Sequence, residues 1–284
     1  MTYCLGVVTK HGLVMASDSR TNAGYDQVNT CRKMYTFQQP GQRVFVLLTS
    51  GSLSCTQSII TLLKREFEAG TGLAEVTSMY DAARIIGQTV RAVSELDRAA
   101  LEKDNFHFNV NVLLGGQIKG DSPELFLIYP QGNPLQATEE SPYLQIGETK
   151  YGRPILDRGI RFDKTTLEDA AKYALLSLDS TMRSNVTVGP PIDLLAYNVD
   201  ALQITHQRRF MADDPDLQKI RTRWEQALRQ AVQRLPTIRF RVAPGASEPA
   251  PTSDAHVDQE SIELVETSDP SAAQAEQPSQ KQAR

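Results

Sequence analysis

The succession of paired strand patterns and long helical patterns restricts the fold more than any other feature of the sequence. Four short apolar runs come first, and the turn residues Lys10-His11-Gly12 and Pro40-Gly41 each join two of them. The runs are Tyr3–Thr9, Leu13–Ser17, Lys33–Gln38 and Arg43–Thr49. Strands joined by such short turns run antiparallel, whereas parallel strands need a long crossover. The chain therefore begins with two predicted β-hairpins.

Longer segments have apolar residues at the three- and four-residue spacings of amphipathic helices. These segments are Leu53–Glu68, Met79–Leu101, Leu167–Met182 and Pro215–Leu235. The buried stripe predicted for the second segment consists of Ala82, Ala83, Ile86, Val90, Val93 and Leu96. Thr166 with Asp169 resembles a capping box, and Asp214 before Pro215 is expected to cap the last helix.

Two further strand pairs lie between the helical segments. They are Phe108–Gly115 with Glu124–Tyr129, and Ile192–Tyr197 with Leu202–Thr205. Hairpins interrupted by helices, without alternating strand–helix units, indicate antiparallel sheets with the helices in separate layers. The predicted fold is α+β, a four-layer αββα sandwich in which two antiparallel sheets lie between helical layers.

Composition separates residues 2–243 from residues 244–284. The C-terminal segment is rich in Ala, Pro, Ser, Glu and Gln, and holds eight acidic residues against Lys281 and Arg284. Such a segment cannot bury enough apolar surface to offset the entropy of ordering it, so we predict a disordered acidic tail. Because the whole chain has a net charge of −4, the predicted domain at 2–243 is close to neutral. A neutral domain is not expected to bind nucleic acid or an anionic membrane surface.

The sequence contains neither a membrane-length apolar stretch nor the pattern of a signal peptide. Its three cysteines, Cys4, Cys31 and Cys55, lack metal-ligand spacing and are expected to be reduced thiols. We therefore predict a cytoplasmic protein that needs no cofactor. Phosphate-binding glycine motifs, paired zinc ligands and the serine elbow of esterases are also absent from the sequence.

The N-terminus carries a candidate nucleophile. Thr2 follows Met1 directly, and so small a residue favours removal of the initiator methionine. The mature chain would then begin with a threonine whose α-amine, with a pKa of about 7.7–8.0, is one residue's reach from its own hydroxyl. This is a nucleophile and a general base in a single residue.

Asp18 and Lys33 strengthen this interpretation. Asp18 ends the second predicted strand, and Lys33 begins the third. A lysine beside the hydroxyl would favour its deprotonated form, and a carboxylate would keep that lysine charged and oriented.

Together with the strand that ends in Thr49-Ser50-Gly51, these residues resemble a proteasome β-type subunit, a member of the N-terminal nucleophile hydrolases. The resemblance covers about residues 2–210. It is greatest to the bacterial proteasome-like Anbu branch, through the segments Met1–Gly6, Ile146–Gly152 and Ser177–Asn185.

The resemblance implies a role for each matching residue. Thr2 would be the nucleophile with its amine as proton acceptor, Lys33 would lower the pKa of the hydroxyl, and Asp18 would hold Lys33. The backbone N–H of Gly51 would receive the oxyanion, and Asp179 would support the amine.

The sequence also departs from the family pattern. Met182 stands where the family has a serine. We predict that Ser184 takes the role of that serine. Gly147-Glu148-Thr149 replaces a serine between two glycines, and Ser54 and Cys55 replace an acidic residue.

The function that the resemblance implies is a threonine peptidase acting on peptides or unfolded proteins, with an unfoldase as a possible partner. We expect a homo-oligomer, either a ring or an open spiral, because the apolar stripes at Leu53–Glu68 and Met79–Leu101 would leave a patch exposed in a lone subunit. The alternative is that one intramolecular core uses both stripes. A non-proteolytic amidohydrolase and a catalytically silent assembly scaffold are the other functions consistent with these residues.

Overall fold

The computed structural model describes residues 2–22, 28–105 and 107–238. The strands are β1 (Tyr3–Thr9), β2 (Gly12–Asp18), β3 (Arg20–Asn22), β4 (Val28–Thr30), β5 (Met34–Gln39), β6 (Arg43–Gly51), β7 (Val110–Ile118), β8 (Glu124–Ile128), β9 (Pro134–Gln136), β10 (Tyr143–Gly147), β11 (Ile192–Asn198) and β12 (His206–Phe210). The helices are α1 (Leu53–Glu68), α2 (Met79–Lys103), α3 (Arg153–Gly159), α4 (Leu167–Ser184) and α5 (Pro215–Gln233), with a 3₁₀ turn at Gly72–Ala74.

Two five-stranded antiparallel sheets form the centre of the fold. Their strand orders are β10-β1-β2-β11-β12 and β5-β6-β7-β8-β9, and β3 pairs with β4 in a separate hairpin. These elements belong to one compact unit, Met1–Arg234. The predicted boundary between residues 243 and 244, and the predicted acidic tail, lie outside the described residues and stay predictions.

The layers follow from strands that are buried on both faces. In β1, Tyr3, Leu5 and Val7 contact the core under α3 and α4, while Cys4 and Val8 join the core between the two sheets. In β6, Val44, Val46 and Leu48 face the same central core, and Phe45 and Leu47 pack under α1 and α2. The predicted αββα sandwich is confirmed.

The helices begin where the capping residues indicated. Thr166 accepts a hydrogen bond from the Asp169 N–H at 3.1 Å, and the Asp214 carboxylate accepts from the N–H of Asp216 at 3.0 Å. In the described part of the chain, no helix combines the length and the apolar character needed to cross a membrane.

The predicted strand Leu202–Thr205 is wrong. Leu202 has a φ of 44°, outside the strand region, and its N–H donates to the Tyr197 hydroxyl at 3.1 Å. The strand that pairs with β11 is instead β12, whose side chains from His206 to Arg209 are exposed. An edge strand of polar residues has no apolar alternation, so the sequence pattern could not reveal it.

The predicted apolar patch is also wrong. Leu96 is 78% exposed, whereas Ala82, Ala83, Ile86, Val90 and Val93 are buried. The buried residues of α2 pack with those of α1 and with the outer face of β6 and β7 in one intramolecular core. This is the alternative named above, so the stripes do not by themselves argue for assembly.

Candidate active site

Thr2 lies at the head of β1, where the ends of β2 and β10 hold the backbone. Its carbonyl accepts a hydrogen bond from the Glu148 N–H at 2.8 Å. The next N–H, that of Tyr3, donates to Oδ1 of Asp18 at 3.0 Å. The backbone around the predicted nucleophile is therefore fixed from two neighbouring strands.

Asp18 and Lys33 form a buried ion pair beside this strand end. Nζ of Lys33 lies 2.6 Å from Oδ1 of Asp18 and donates a second bond to the Arg20 carbonyl at 2.6 Å. Oδ2 of Asp18 accepts from the Gly189 N–H at 3.2 Å. Burial raises the pKa of the Asp18 carboxyl, and the Lys33 ammonium together with the N–H groups of Tyr3 and Gly189 opposes that rise. These contacts hold the ammonium in one orientation.

Thr2 lines two adjoining cavities. Both are also lined by Thr21, Ser50 and Gly51. Lys33 and Cys31 line the first, while Asn109, Asn111 and Gly147 line the second, which has a volume of about 360 Å³. The structure thus brings together Thr2, Asp18, Lys33 and Gly51. Within the described ranges, no group of three or more His, Cys, Asp or Glu residues is placed to hold a metal ion.

The backbone N–H of Gly51 is directed into this space. Across the β6–β7 ladder, the Ser52 N–H donates to the Asn109 carbonyl at 2.9 Å, so the N–H of Gly51 points to the β5 side. On that side the N–H of Thr49 donates to the Lys33 carbonyl at 3.0 Å. The N–H of Cys31, two residues before Lys33, donates to the Ser19 carbonyl and not to β6. The Gly51 N–H therefore lies beyond the end of β5, where an oxyanion could accept its hydrogen bond.

We expect Gly51→Ala to destabilise the protein by at least about 3 kcal/mol. Gly51 has a φ of 109°, and a Cβ there would lie 1.9 Å from the Asn109 carbonyl oxygen. Gly41→Ala is the matched control, because Gly41 also has a positive φ, 76°, but nothing lies within 4 Å of its Cβ position. It should cost only about 1 kcal/mol in urea unfolding. Equal losses in the two variants would contradict the close approach at Gly51.

Asp179 and Ser184 are placed differently from the other predicted site residues. Asp179 is buried in α4, where it accepts from Nε of Arg183 at 3.2 Å and also pairs with Arg221 of α5. Ser184 is exposed on the last turn of α4. Their predicted support of the Thr2 amine stays a prediction, without a contact among the described side chains to carry it.

Glu148 is the acid that the sequence interpretation did not assign to the site. It directly follows β10 and is only 8% exposed. Its backbone N–H donates to the Thr2 carbonyl. Nδ2 of Asn185, the residue after Ser184, donates to its Oε2 at 3.0 Å. The replacement of a small residue by glutamate in Gly147-Glu148-Thr149 was the available signal, but the sequence did not show which residue the carboxylate contacts.

Tyr3 anchors the strand behind the nucleophile. Its hydroxyl lies 2.6 Å from Oγ of Ser177 and accepts a hydrogen bond from the Gln145 amide. Burial raises the pKa of Tyr3 from 10.0 to about 12. The folded state therefore holds this proton more tightly than the unfolded state, and the resulting stability is complete below about pH 10 and lost as the pH rises towards 12.

We expect the free energy of unfolding of the wild type to fall by on the order of 2 kcal/mol between pH 9.5 and pH 12 through Tyr3 alone. Tyr3→Phe should be less stable at pH 9 and should lose less stability as the pH rises. Tyr80, which is 54% exposed, provides the control, because Tyr80→Phe should follow the wild-type pH curve. A Tyr3→Phe curve parallel to that of the wild type would contradict the assignment.

The chain matches known proteins over most of its length. The model of the proteasome subunit family matches residues 2–195. Anbu from Yersinia bercovieri, described as an ancestral β-subunit, is 45% identical with a TM-score of 0.79, and the match covers 84% of this chain and 100% of that one. The helical assembly of the Anbu complex from Pseudomonas aeruginosa is 45% identical with a TM-score of 0.79, over 84% of this chain and 98% of that one. Proteasome subunit beta of Haloferax volcanii is 25% identical over 211 residues, 74% of this chain and 78% of that protein.

Two antiparallel sheets stacked between helical layers are the fold of the N-terminal nucleophile hydrolases. The chain belongs to the proteasome subunit family. Within that family, its similarity to the Anbu structures places it in the Anbu branch.

Proposed function

We propose that this chain is a threonine peptidase that cleaves peptide bonds through an acyl-enzyme on Thr2. The observation that supports this most strongly is the position of Lys33 in the wall of a cavity that Thr2 and Gly51 share, with its ammonium 2.6 Å from the buried Asp18 carboxylate. A buried ammonium held by a carboxylate favours ionisation of a neighbouring hydroxyl. The family match supports a hydrolase of this class.

In the proposed reaction, Oγ of Thr2 attacks the carbonyl carbon of the peptide while its proton passes to the α-amine of the same residue. The oxyanion of the tetrahedral intermediate accepts a hydrogen bond from the backbone N–H of Gly51. The C–N bond then breaks, and the departing amine takes the proton from the α-ammonium. Water then attacks the ester and gives a proton to the amine. The bond between the acyl carbon and Oγ breaks, Oγ takes the proton back from the ammonium, and the carboxylic acid leaves with Thr2 restored.

The proposed working form is a cytoplasmic homo-oligomer built from head-to-tail contacts. Such contacts continue as an open spiral or close into a ring, depending on the rotation between neighbouring subunits. The support comes from the related Anbu complex, whose structure is described as a helical assembly. Peptides or unfolded proteins, delivered with or without an unfoldase, are the proposed substrates.

Intact-mass measurement combined with a peptide-library assay tests the proposal. We expect a mature chain that begins at Thr2, a sedimenting mass well above the 31.5 kDa of one chain, and new peptide termini from the library. Turnover of small amides without peptide cleavage would favour the amidohydrolase. If the chain keeps Met1 and cleaves nothing, the catalytically silent assembly scaffold is the function that remains.

A further inference from the structure

We propose that Glu148, held in place by Asn185, binds and positions the α-amine of Thr2. Glu148 is in this view a positioning residue, because it acts through the amine and not on the substrate. The inference rests on the proposed function only in that Thr2 must be the first residue of the mature chain. It is carried by the register of two strands, by the contacts of one buried carboxylate, and by the other charges nearby.

The register directs the nitrogen of Thr2 towards Glu148. β1 pairs with β10 through Cys4 opposite Ile146 and Tyr3 opposite Gly147, and the next pair outwards is Thr2 opposite Glu148. The Glu148 N–H donates to the Thr2 carbonyl at 2.8 Å, which marks a pair of the hydrogen-bonded kind. In a β-strand the N–H and C=O groups of one residue point to the same side. The Thr2 nitrogen therefore faces the Glu148 side of the strand end.

Gly147 allows the two strand ends to approach this closely. Its φ is 85°, and a Cβ at this position would lie 1.9 Å from the Thr2 carbonyl oxygen. The glycine therefore permits the contact that a larger residue would prevent, and it brings the residue that follows it next to Thr2.

The Glu148 carboxylate has capacity for a further donor. Within the described part of the chain, its side-chain partners are Nδ2 of Asn185, at 3.0 Å from Oε2, and Nζ of Lys150, at 3.7 Å from Oε1. The Lys150 side chain is 69% exposed, so this ion pair is weak. A carboxylate can accept about four hydrogen bonds, and a buried one is costly unless it is paired. The ammonium form of the Thr2 amine would supply that pairing.

The acids on the neighbouring elements already have cationic partners, whereas Arg20 of β3 donates to the Val186 carbonyl and has no ion pair within the described part of the chain. On the β2 and β5 side of Thr2, Asp18 is paired with Lys33. On α4 and α5, Asp179 is paired with Arg183 and Arg221. Glu148 is thus the acid near the chain start whose charge an N-terminal ammonium would balance.

A carboxylate beside an amine favours the protonated form of that amine. Glu148 should therefore raise the pKa of the Thr2 amine, whereas the Lys33 ammonium, which lines the same cavity as Thr2, opposes that rise. A base with a higher pKa accepts the hydroxyl proton more strongly, but a smaller fraction of it is unprotonated at neutral pH. The proposed peptidase should accordingly gain activity as the pH rises through the pKa of this amine.

The test measures the pKa of the Thr2 amine directly and does not require turnover. The full chain would be released from a fusion so that it begins at Thr2. Its amine would then be acetylated with limiting acetic anhydride from pH 6 to pH 10, and the N-terminal peptide would be quantified by mass spectrometry. Glu148→Gln should lower the pKa by about one unit, and Asn185→Ala should lower it less.

Glu124→Gln is the matched control. It also removes one negative charge. Glu124 lies opposite Gly116, near one end of β7, whereas Val110, the strand partner of Gly51, lies at the other end. The pKa of the Thr2 amine should not change in this variant. An unchanged pKa in both Glu148→Gln and Asn185→Ala, with wild-type melting temperatures, would overturn the inference. A shifted pKa in a protein that cleaves no peptide would support this inference and refute the proposed peptidase.

Discussion

Thr2→Ala is expected to lower peptide hydrolysis by at least about 10³-fold, since loss of a nucleophile removes the covalent route. The backbone of Thr2 makes the bond to Glu148 that fixes the strand end, and alanine keeps that bond. The variant should therefore have the melting temperature and the sedimenting mass of the wild type. Initial rates on the peptides identified from the library, measured with both proteins at equal concentration, check this result.

Thr2→Ser provides the control, because serine keeps both the hydroxyl and the α-amine. It should keep more than about a tenth of the wild-type rate, corresponding to a barrier higher by at most about 1.4 kcal/mol. Thr2→Ala turnover at the wild-type rate would exclude the proposed mechanism. A loss of activity in Thr2→Ala accompanied by loss of assembly would contradict the expectation that the side chain acts in chemistry alone.

Lys33→Ala should remove activity almost as completely and should also destabilise the protein by about 3–5 kcal/mol. The stability loss is expected because Asp18, which is fully buried, would keep a charge with no cation beside it. Lys33→Arg should also fail to support activity, since a planar guanidinium does not fit the position between Oδ1 of Asp18 and the Arg20 carbonyl. Urea unfolding and peptide assays on the same samples check both effects.

Two comparisons separate the chemical role of the pair from its structural role. The double variant Asp18→Asn with Lys33→Met leaves no buried charge unpaired, so it should recover most of the stability while staying inactive. Lys172→Ala breaks an exposed ion pair with Glu168, 2.9 Å long, and should leave the stability almost unchanged. Activity in the double variant would refute the role assigned to Lys33.

Local patterns predicted most of the regular structure. The helical spacing from Leu53 gave a helix that ends at Glu68 in the structure as predicted, and the capping residues Thr166 and Asp214 act as expected. Short elements such as β9 and α3 escaped prediction, because three to seven residues hold too few apolar positions to show a period. Leu96 continued the apolar stripe of α2 in the sequence, yet the core ends before it.

The sequence by itself determined the antiparallel sandwich and the residue types of the site, because hydrophobic periods, turns and caps are local properties. The contact between Asp18 and Lys33 was also predicted, but only the tertiary structure decided which groups the other acids near the site meet. In the structure, Asp179 forms ion pairs with Arg183 and Arg221, and Glu148 lies beside Thr2. The cause is that a carboxylate pairs with whichever donor the packing of distant elements brings within about 3–4 Å, and residue spacing along the chain does not specify that distance.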